Sequence, residues 1–276
     1  MLRIQPVDRL DLPGLEPYRT LKLMEEHREK GIFVAQGEKV FSSLLDSECA
    51  IVSVLLSQEL LKKFRPALEA RKEIVDIFIG DKGVLKEVVG HSMYQAILAV
   101  GRVPRMPTLE SMLMSLPRPY LIAALDGLSN ADNIGATVRN AAAMGVQGIV
   151  VGETCSSPWV RRAVRSSMGG ILGIPCAEVS DLAQAVHDLG SQGLQTVACH
   201  PRPDCKSIDE VDFKQDTCVV LGSEGLGIRE SVLESCTVYS AIPINPEIDS
   251  LNVANAAAIY FYEAQRQRGY SFNPSI

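Results

Sequence analysis

Short apolar runs alternate with longer stretches whose apolar residues recur three and four apart, from Ile32 nearly to the end of the chain. The first pattern predicts buried strands and the second amphipathic helices. Residues 1 to 17 are broken by prolines and read as a loose lead-in. Tyr18 to Lys30 follows a helical pattern that Gly31 ends. Ile32 to Gln36 reads as a strand, with a turn at Gly37 and then a helix with Val40, Phe41, Leu44 and Leu45 on one face. Further strands are expected at Ile51 to Leu56, Val75 to Ile79 and Ala96 to Val100, separated by helices over Ser57 to Arg71 and Asp81 to Val89. This alternation predicts a small α/β domain over residues 1–104. Residues 105–119, punctuated by Pro107, Pro117 and Pro119, read as a linker that carries one short helix, Thr108 to Leu116.

A larger unit is expected over 120–276. Its strands are predicted at Tyr120 to Leu125, Gly148 to Val151, Ile174 to Glu178, Gln195 to Cys199, Thr217 to Leu221 and Val238 to Ile242. Apolar strands separated by helices predict a parallel sheet with helices on both faces. Ligands of such sheets bind beyond the carboxyl ends of the strands, which is where the chain concentrates its polar motifs.

The stretch Ala241 to Glu263 joins a strand to a long helix through a polar loop, with Ser250 expected to cap a helix whose first turn holds Asn252 and Asn255. Upstream, DGLSNADNIGATVRNAAAMG places Asn133, Gly135 and Arg139 at the opening of an alanine-rich helix. An arginine there is not required for packing, whereas its planar fork suits phosphate recognition. Between these stretches, VVLGSEGLGI runs a buried strand into three glycines that enclose Glu224. Glycines let a backbone approach a ligand closely. Their spacing departs from the dinucleotide fingerprint G-x-G-x-x-G. A carboxylate in such a loop needs a partner, and Arg139 is the expected one.

Composition narrows the classes. With 46% hydrophobic and 22% charged residues the chain is globular, no apolar run approaches the length of a membrane span, and no leader pattern stands at the start, so a cytoplasmic protein is expected. Seven cysteines include no Cys-x-x-Cys pair. Cys199, His200 and Cys205 lack an evident fourth ligand, so no metal is expected. The net charge of −6 hides an uneven distribution: residues 1–104 hold 15 basic and 15 acidic side chains, and the remainder 12 and 18. Within that acidic remainder Arg161, Arg162 and Arg165 cluster in five residues, a set suited to phosphate contacts; Lys62, Lys63 and Arg65 form a second basic group.

Asn133-x-Gly135-x-x-x-Arg139, then LGSEGLG, then IPI followed by SLNVANAAA resemble the three ordered motifs of the SpoU (TrmH) family of RNA 2′-O-ribose methyltransferases, in the SPOUT superfamily. RRAVRSSMGGILGIP, Arg161 to Pro175, is similar to the family's stretch between the first two motifs, and residues 1–104 resemble the small RNA substrate-binding domain often found ahead of the catalytic one. The resemblance implies a C-terminal trefoil knot, S-adenosylmethionine held by the knotted loops, a homodimer, an rRNA or tRNA substrate and no metal. By motif position it assigns cofactor contact to Leu221, Gly222, Gly225, Ile242, Leu251 and Asn252. It assigns catalysis to Arg139 with Asn133, Glu224 and Asn252, and RNA contact to Arg161, Arg162 and Arg165. The chain departs from the family at Ala254, where a serine is common, and at Ser223, where asparagine is frequent. The alternatives are a knotted enzyme that methylates a base, for which the Asn133 to Arg139 pattern is not expected, and a non-catalytic RNA-binding relative.

Overall fold

The computed structural model describes residues 1–89 and 97–269, which divide into two compact units. The first comprises residues 1–105 together with 158–173, and the second residues 106–157 and 174–276.

In the first unit the strands are β1 (Leu2–Val7), β2 (Ile32–Gln36), β3 (Ile51–Leu56), β4 (Val75–Gly80) and β5 (Leu98–Arg102), forming a sheet in the order β1-β4-β3-β5-β2 among the described residues. β1, β4, β3 and β2 run in one direction, whereas β5 runs against them and pairs antiparallel with both β3 and β2. The helices are α1 (Glu16–Arg19), α2 (Met24–Glu29), α3 (Glu38–Asp46), α4 (Gln58–Glu69) and α5 (Lys82–Val89). Val40, Phe41 and Leu44 of α3 and Leu60, Leu61, Phe64 and Leu68 of α4 are buried, as their helical spacing requires. Ser57 caps α4 by accepting from the Leu60 N–H.

Three expectations change here. The lead-in contains the edge strand β1, which the alternation did not reveal because Arg3, Ile4, Gln5 and Pro6 are all exposed. The single helix expected from Tyr18 to Lys30 is two short ones, because Tyr18 is drawn into the core, where its hydroxyl shares a hydrogen bond of 2.8 Å with Ser53. The fourth strand begins at Leu98, and Ala96 lies outside the described residues.

The second unit has α6 (Leu109–Ser115), β6 (Leu121–Asp126), α7 (Ala131–Ala143) and β7 (Gly148–Val151), followed after the 158–173 excursion by β8 (Cys176–Glu178), α9 (Leu182–Ser191), β9 (Gln195–Cys199), β10 (Lys206–Ser207), β11 (Thr217–Gly222), α10 (Glu230–Glu234), β12 (Val238–Ala241) and α11 (Val253–Gln267). The excursion carries α8 (Arg161–Ser166), which packs on β2 of the first unit. Among the described residues the sheet order is β10-β12-β9-β11-β6-β7-β8, and every pairing is parallel. Met112 and Leu113 of α6, Leu182, Val186 and Leu189 of α9, and Val232 and Leu233 of α10 bury one face, against Ile122, Ala124, Val150, Ala198, Cys218 and Val220. The alternate strand residues point to the opposite face, where α11 meets β11 and α7.

Two boundaries differ from the continuous reading. The expected linker 105–119 contributes Met112 and Leu113 to the core of the second unit, because an amphipathic turn between prolines still buries its apolar side. Pro158–Gly173, placed by resemblance in the second domain, packs with the first. The Trp159 ring lies tilted at 48° with its centroid 5.1 Å from that of Phe33, and Arg161 donates to the Gln36 side chain at 2.6 Å.

Candidate functional site

Parallel pairing sets β6, β11, β9 and β12 side by side with their carboxyl ends at one edge, and the three polar motifs leave from those ends. The loop after β6 ends where Asn130 caps α7, its side chain accepting from the Asp132 N–H at 2.9 Å. The third motif is capped by Asn252, not Ser250: the Asn252 carboxamide oxygen accepts from the Ala254 N–H at 3.0 Å, so α11 begins at Val253. Small buried residues on both helices, among them Gly135, Ala141, Ala254 and Ala257, let α7 and α11 lie against each other. Asn140 closes the contact by donating to the Ala254 carbonyl at 2.7 Å.

That packing brings the motifs together at one residue. The Asn252 amide nitrogen donates to the Asn133 side-chain oxygen at 3.2 Å and to Glu224 Oε1. One carboxamide thus joins the helix after β6, the glycine loop after β11 and the loop after β12. It also corrects the expected pairing of Glu224 with Arg139: Glu224 is held by Asn252, an amide beside it in space that sequence distance concealed. Arg139 is exposed and makes no hydrogen bond or ion pair among the described residues, which leaves its five donors available.

The glycine loop is closed on itself. Ser223 and Gly227 exchange backbone hydrogen bonds of 3.0 and 2.9 Å, and a Cβ at Gly222 would stand 2.3 Å from the Gly227 carbonyl carbon and the Ile228 nitrogen. Gly227 has φ +69°, while a Cβ at Gly225 would meet nothing within 4 Å. Leu221 is buried, Ile242 and Leu251 are half-buried, and Leu226 is 92% exposed at the tip. The backbone at Gly225 is thus open to a ligand, whereas Gly222 is closed off by the loop's own backbone.

Ala254, in the usual serine position, is 5% exposed, and its carbonyl is taken by Asn140 of α7. Ala254→Ser is accordingly expected to leave methyl transfer within about threefold of the parent. A gain or loss of tenfold in single-turnover rate would assign that position a direct contact.

Sequence reading missed an ion cluster built on a buried aspartate at the foot of the glycine loop. Asp126, whose side chain is wholly buried, accepts from the Arg229 N–H and from Arg229 Nε, both at 2.7 Å. Arg229 Nη1 donates to Glu153, whose other oxygen accepts from the Leu182 N–H at 3.0 Å. Hydrogen bonding to Glu153 and Asp126 lifts the Arg229 guanidinium above its ordinary range. Burial works to raise the Glu153 carboxyl, but the bonds it accepts from Arg229 and the backbone outweigh that and leave it below its usual range. The available signal was an aspartate closing the apolar strand LIAALD, a position where a charge must be paired.

The basic groups lie in the first unit. Arg161 is half-buried, with Nε lacking a hydrogen-bond partner, and its guanidinium is pushed below its usual range by burial and by Arg165 and Arg162. Lys63 pairs with Glu38 and Arg65 with Glu69, so two of the second group are already engaged. Among the described residues, no group of three or more His, Cys, Asp or Glu could hold a metal, and no helix is long and apolar enough to cross a membrane.

Comparison with known proteins matches this architecture. An uncharacterized tRNA/rRNA methyltransferase of Mycobacterium tuberculosis is 29% identical over 99% of this chain and 95% of its own length. A 23S rRNA (guanosine-2′-O-)-methyltransferase, RlmB, of Shewanella oneidensis is 31% identical over 70% of this chain and 78% of its own. Among solved structures, an AdoMet-bound rRNA methyltransferase from Sinorhizobium meliloti superposes with a TM-score of 0.82 at 23% identity, covering 95% of this chain and 98% of that one. The SpoU methyltransferase AviRb from Streptomyces viridochromogenes, in complex with AdoMet, gives 0.80 at 23% identity over 93% and 99%. These structures share the α/β fold with its parallel sheet. Residues 120–262 match the SpoU rRNA Methylase family, and with the relatives above this establishes that the chain belongs to that family.

Proposed function

We propose that this chain transfers a methyl group from S-adenosylmethionine to a ribose 2′-hydroxyl of a structured rRNA or tRNA. The observation that carries the reading is the Asn252 carboxamide, which gathers Asn133 and Glu224 beside the glycine loop while Arg139 stays unpaired. S-adenosylmethionine is the cofactor, as in the two AdoMet-bound neighbours. When bound, it supplies a methyl group already activated on a sulfonium sulfur.

The protein's task is then to align the attacking hydroxyl, whose proton leaves to solvent water as the methyl is transferred. Leu221, Gly222, Gly225, Ile242, Leu251 and Asn252 hold the cofactor, mostly through backbone groups. Arg139 presents two parallel donors to the phosphate beside the reacting ribose and orients the hydroxyl; a guanidinium is too weak an acid to serve as the base. Asn252 holds Glu224 in place, and Asn133 fixes the Asn252 amide in turn. In the first unit Arg161, Arg162 and Arg165 contact RNA phosphates, with Lys62 as a further exposed cation.

The same reading includes, from the motif resemblance, a trefoil knot in the segment after β12. It includes a homodimer, supported by the exposed Ile259 and Tyr262 on α11 and by Ile244 and Ile248 in the loop before it. Residues 1–104 act as the substrate-selecting unit.

The test is transfer of labelled methyl from S-adenosylmethionine to unmodified total RNA, followed by digestion to nucleosides. Label on ribose is the expected result. Label on a base instead would move the chain to the base-methylating alternative, and cofactor binding without transfer to any RNA would overturn the catalytic reading.

A further inference from the structure

The glycine loop, residues 222–228, has two feet, and one residue, Asp126, adjoins both: its backbone at the first and its buried carboxylate at the second. Gly222 pairs in register with Asp126 across β11 and β6. Arg229, which follows the last loop residue, delivers both its backbone N–H and its Nε to that same Asp126. The free end of the guanidinium continues to Glu153, which accepts the N–H of Leu182 at the start of α9. The loop is therefore closed twice: at its neck by the Ser223–Gly227 pair, and at its base by Arg229.

We propose that Arg229, seated on Asp126 and Glu153, is a positioning residue that holds the 222–228 loop in the conformation that binds cofactor and presents Glu224 to Asn252. It touches neither cofactor nor RNA in this role. The proposal rests on the methyltransferase reading only for its consequence in catalysis. The geometry of the loop stands apart from that reading.

An ordinary ion pair stapling two strands predicts something different. Its loss would loosen the sheet as a whole, whereas a positioning role predicts a change confined to the loop. Removing Arg229 alone leaves Asp126 buried without a partner, which destabilises the entire fold. The informative variant replaces both charges by amides, Asp126→Asn with Arg229→Gln, so that a hydrogen bond remains in the buried site while the guanidinium link to Glu153 is lost. Arg229→Lys, which keeps a cation but not the fork, is the partial rescue.

The experiment uses the full chain and measures amide hydrogen exchange, calorimetric affinity for S-adenosylmethionine, and kcat and KM for RNA. In the double variant the Ser223 and Gly227 amides are expected to exchange at least about tenfold faster, with β6 and β11 unchanged. Affinity for S-adenosylmethionine falls at least about tenfold and kcat up to about a hundredfold, the cost of a small misplacement at a distance. KM for RNA stays within about twofold, and Arg229→Lys falls between. Loop exchange within twofold of the parent overturns the proposal, and so does acceleration spread equally over β6 and β11. Acceleration in the loop with unchanged affinity for S-adenosylmethionine overturns it as well. If the parent chain itself binds no S-adenosylmethionine, the methyltransferase reading is what fails, and the exchange result alone decides whether Arg229 fixes the loop.

Discussion

Arg139→Ala is expected to lower the rate of methyl transfer by about 10²- to 10³-fold, the usual loss when one preorganised charged donor is removed from a reacting centre. The fold should not notice. Arg139 is exposed and unpaired among the described residues, and surface changes of that kind stay within about 0.5 kcal/mol. Affinity for S-adenosylmethionine is expected to remain within about twofold, because the cofactor contacts proposed above come from the loops after β11 and β12. Arg139→Lys decides between two roles. A lysine keeps the positive charge but offers a single point where the guanidinium offers a fork, so a loss close to that of alanine supports simultaneous orientation of phosphate and hydroxyl. Retention of most activity by the lysine variant would reduce Arg139 to a source of charge.

The catalytic unit was legible because its strands are short, apolar and separated by helices, and because polar residues gather where those strands end. Asn133, Arg139, Glu224 and Asn252 could each be marked as unusual from type and setting. Their partners could not. Glu224 pairs with an amide 28 residues away and not with the cation that charge alone would select, because the distance depends on how α11 packs on α7. The start of α11 at Val253 follows from the same local competition: Ser250 and Asn252 are both good caps, and Asn252 takes the role by bonding the Ala254 N–H.

In the first unit β1 escaped notice since an edge strand exposed on four successive residues carries no alternation. The Pro158–Gly173 stretch escaped for a different reason. Its contacts to Phe33 and Gln36 cross more than a hundred residues, and nothing in its own pattern of arginines and glycines distinguishes a segment that stays with its neighbours from one that leaves them. Asp126 and Arg229 lay inside or beside stretches already singled out, yet their pairing depends on the sheet order that puts β11 next to β6.

Gly222→Ala is expected to weaken S-adenosylmethionine binding by up to about a hundredfold and to reduce transfer accordingly. The added methyl would stand 2.3 Å from the backbone of Gly227 and Ile228, and backbone held by the Ser223–Gly227 hydrogen bonds has no rotamer through which to yield. Overpacking of this kind costs about 1–3 kcal/mol. The loop can escape the cost by opening, but it must then be closed again when cofactor binds, and about 1.4 kcal/mol of closure is a tenfold loss of affinity. Gly227→Ala supplies the comparison. A Cβ there finds open space up to His200, 4.0 Å away, so its penalty is the positive φ alone, about 1–2 kcal/mol. Calorimetric titration should therefore rank Gly222→Ala as the more damaging of the two, with both chains folded. Equal affinity in the parent and in Gly222→Ala would mean that the loop binds cofactor in an open form, and the closed neck seen here would not be the binding conformation.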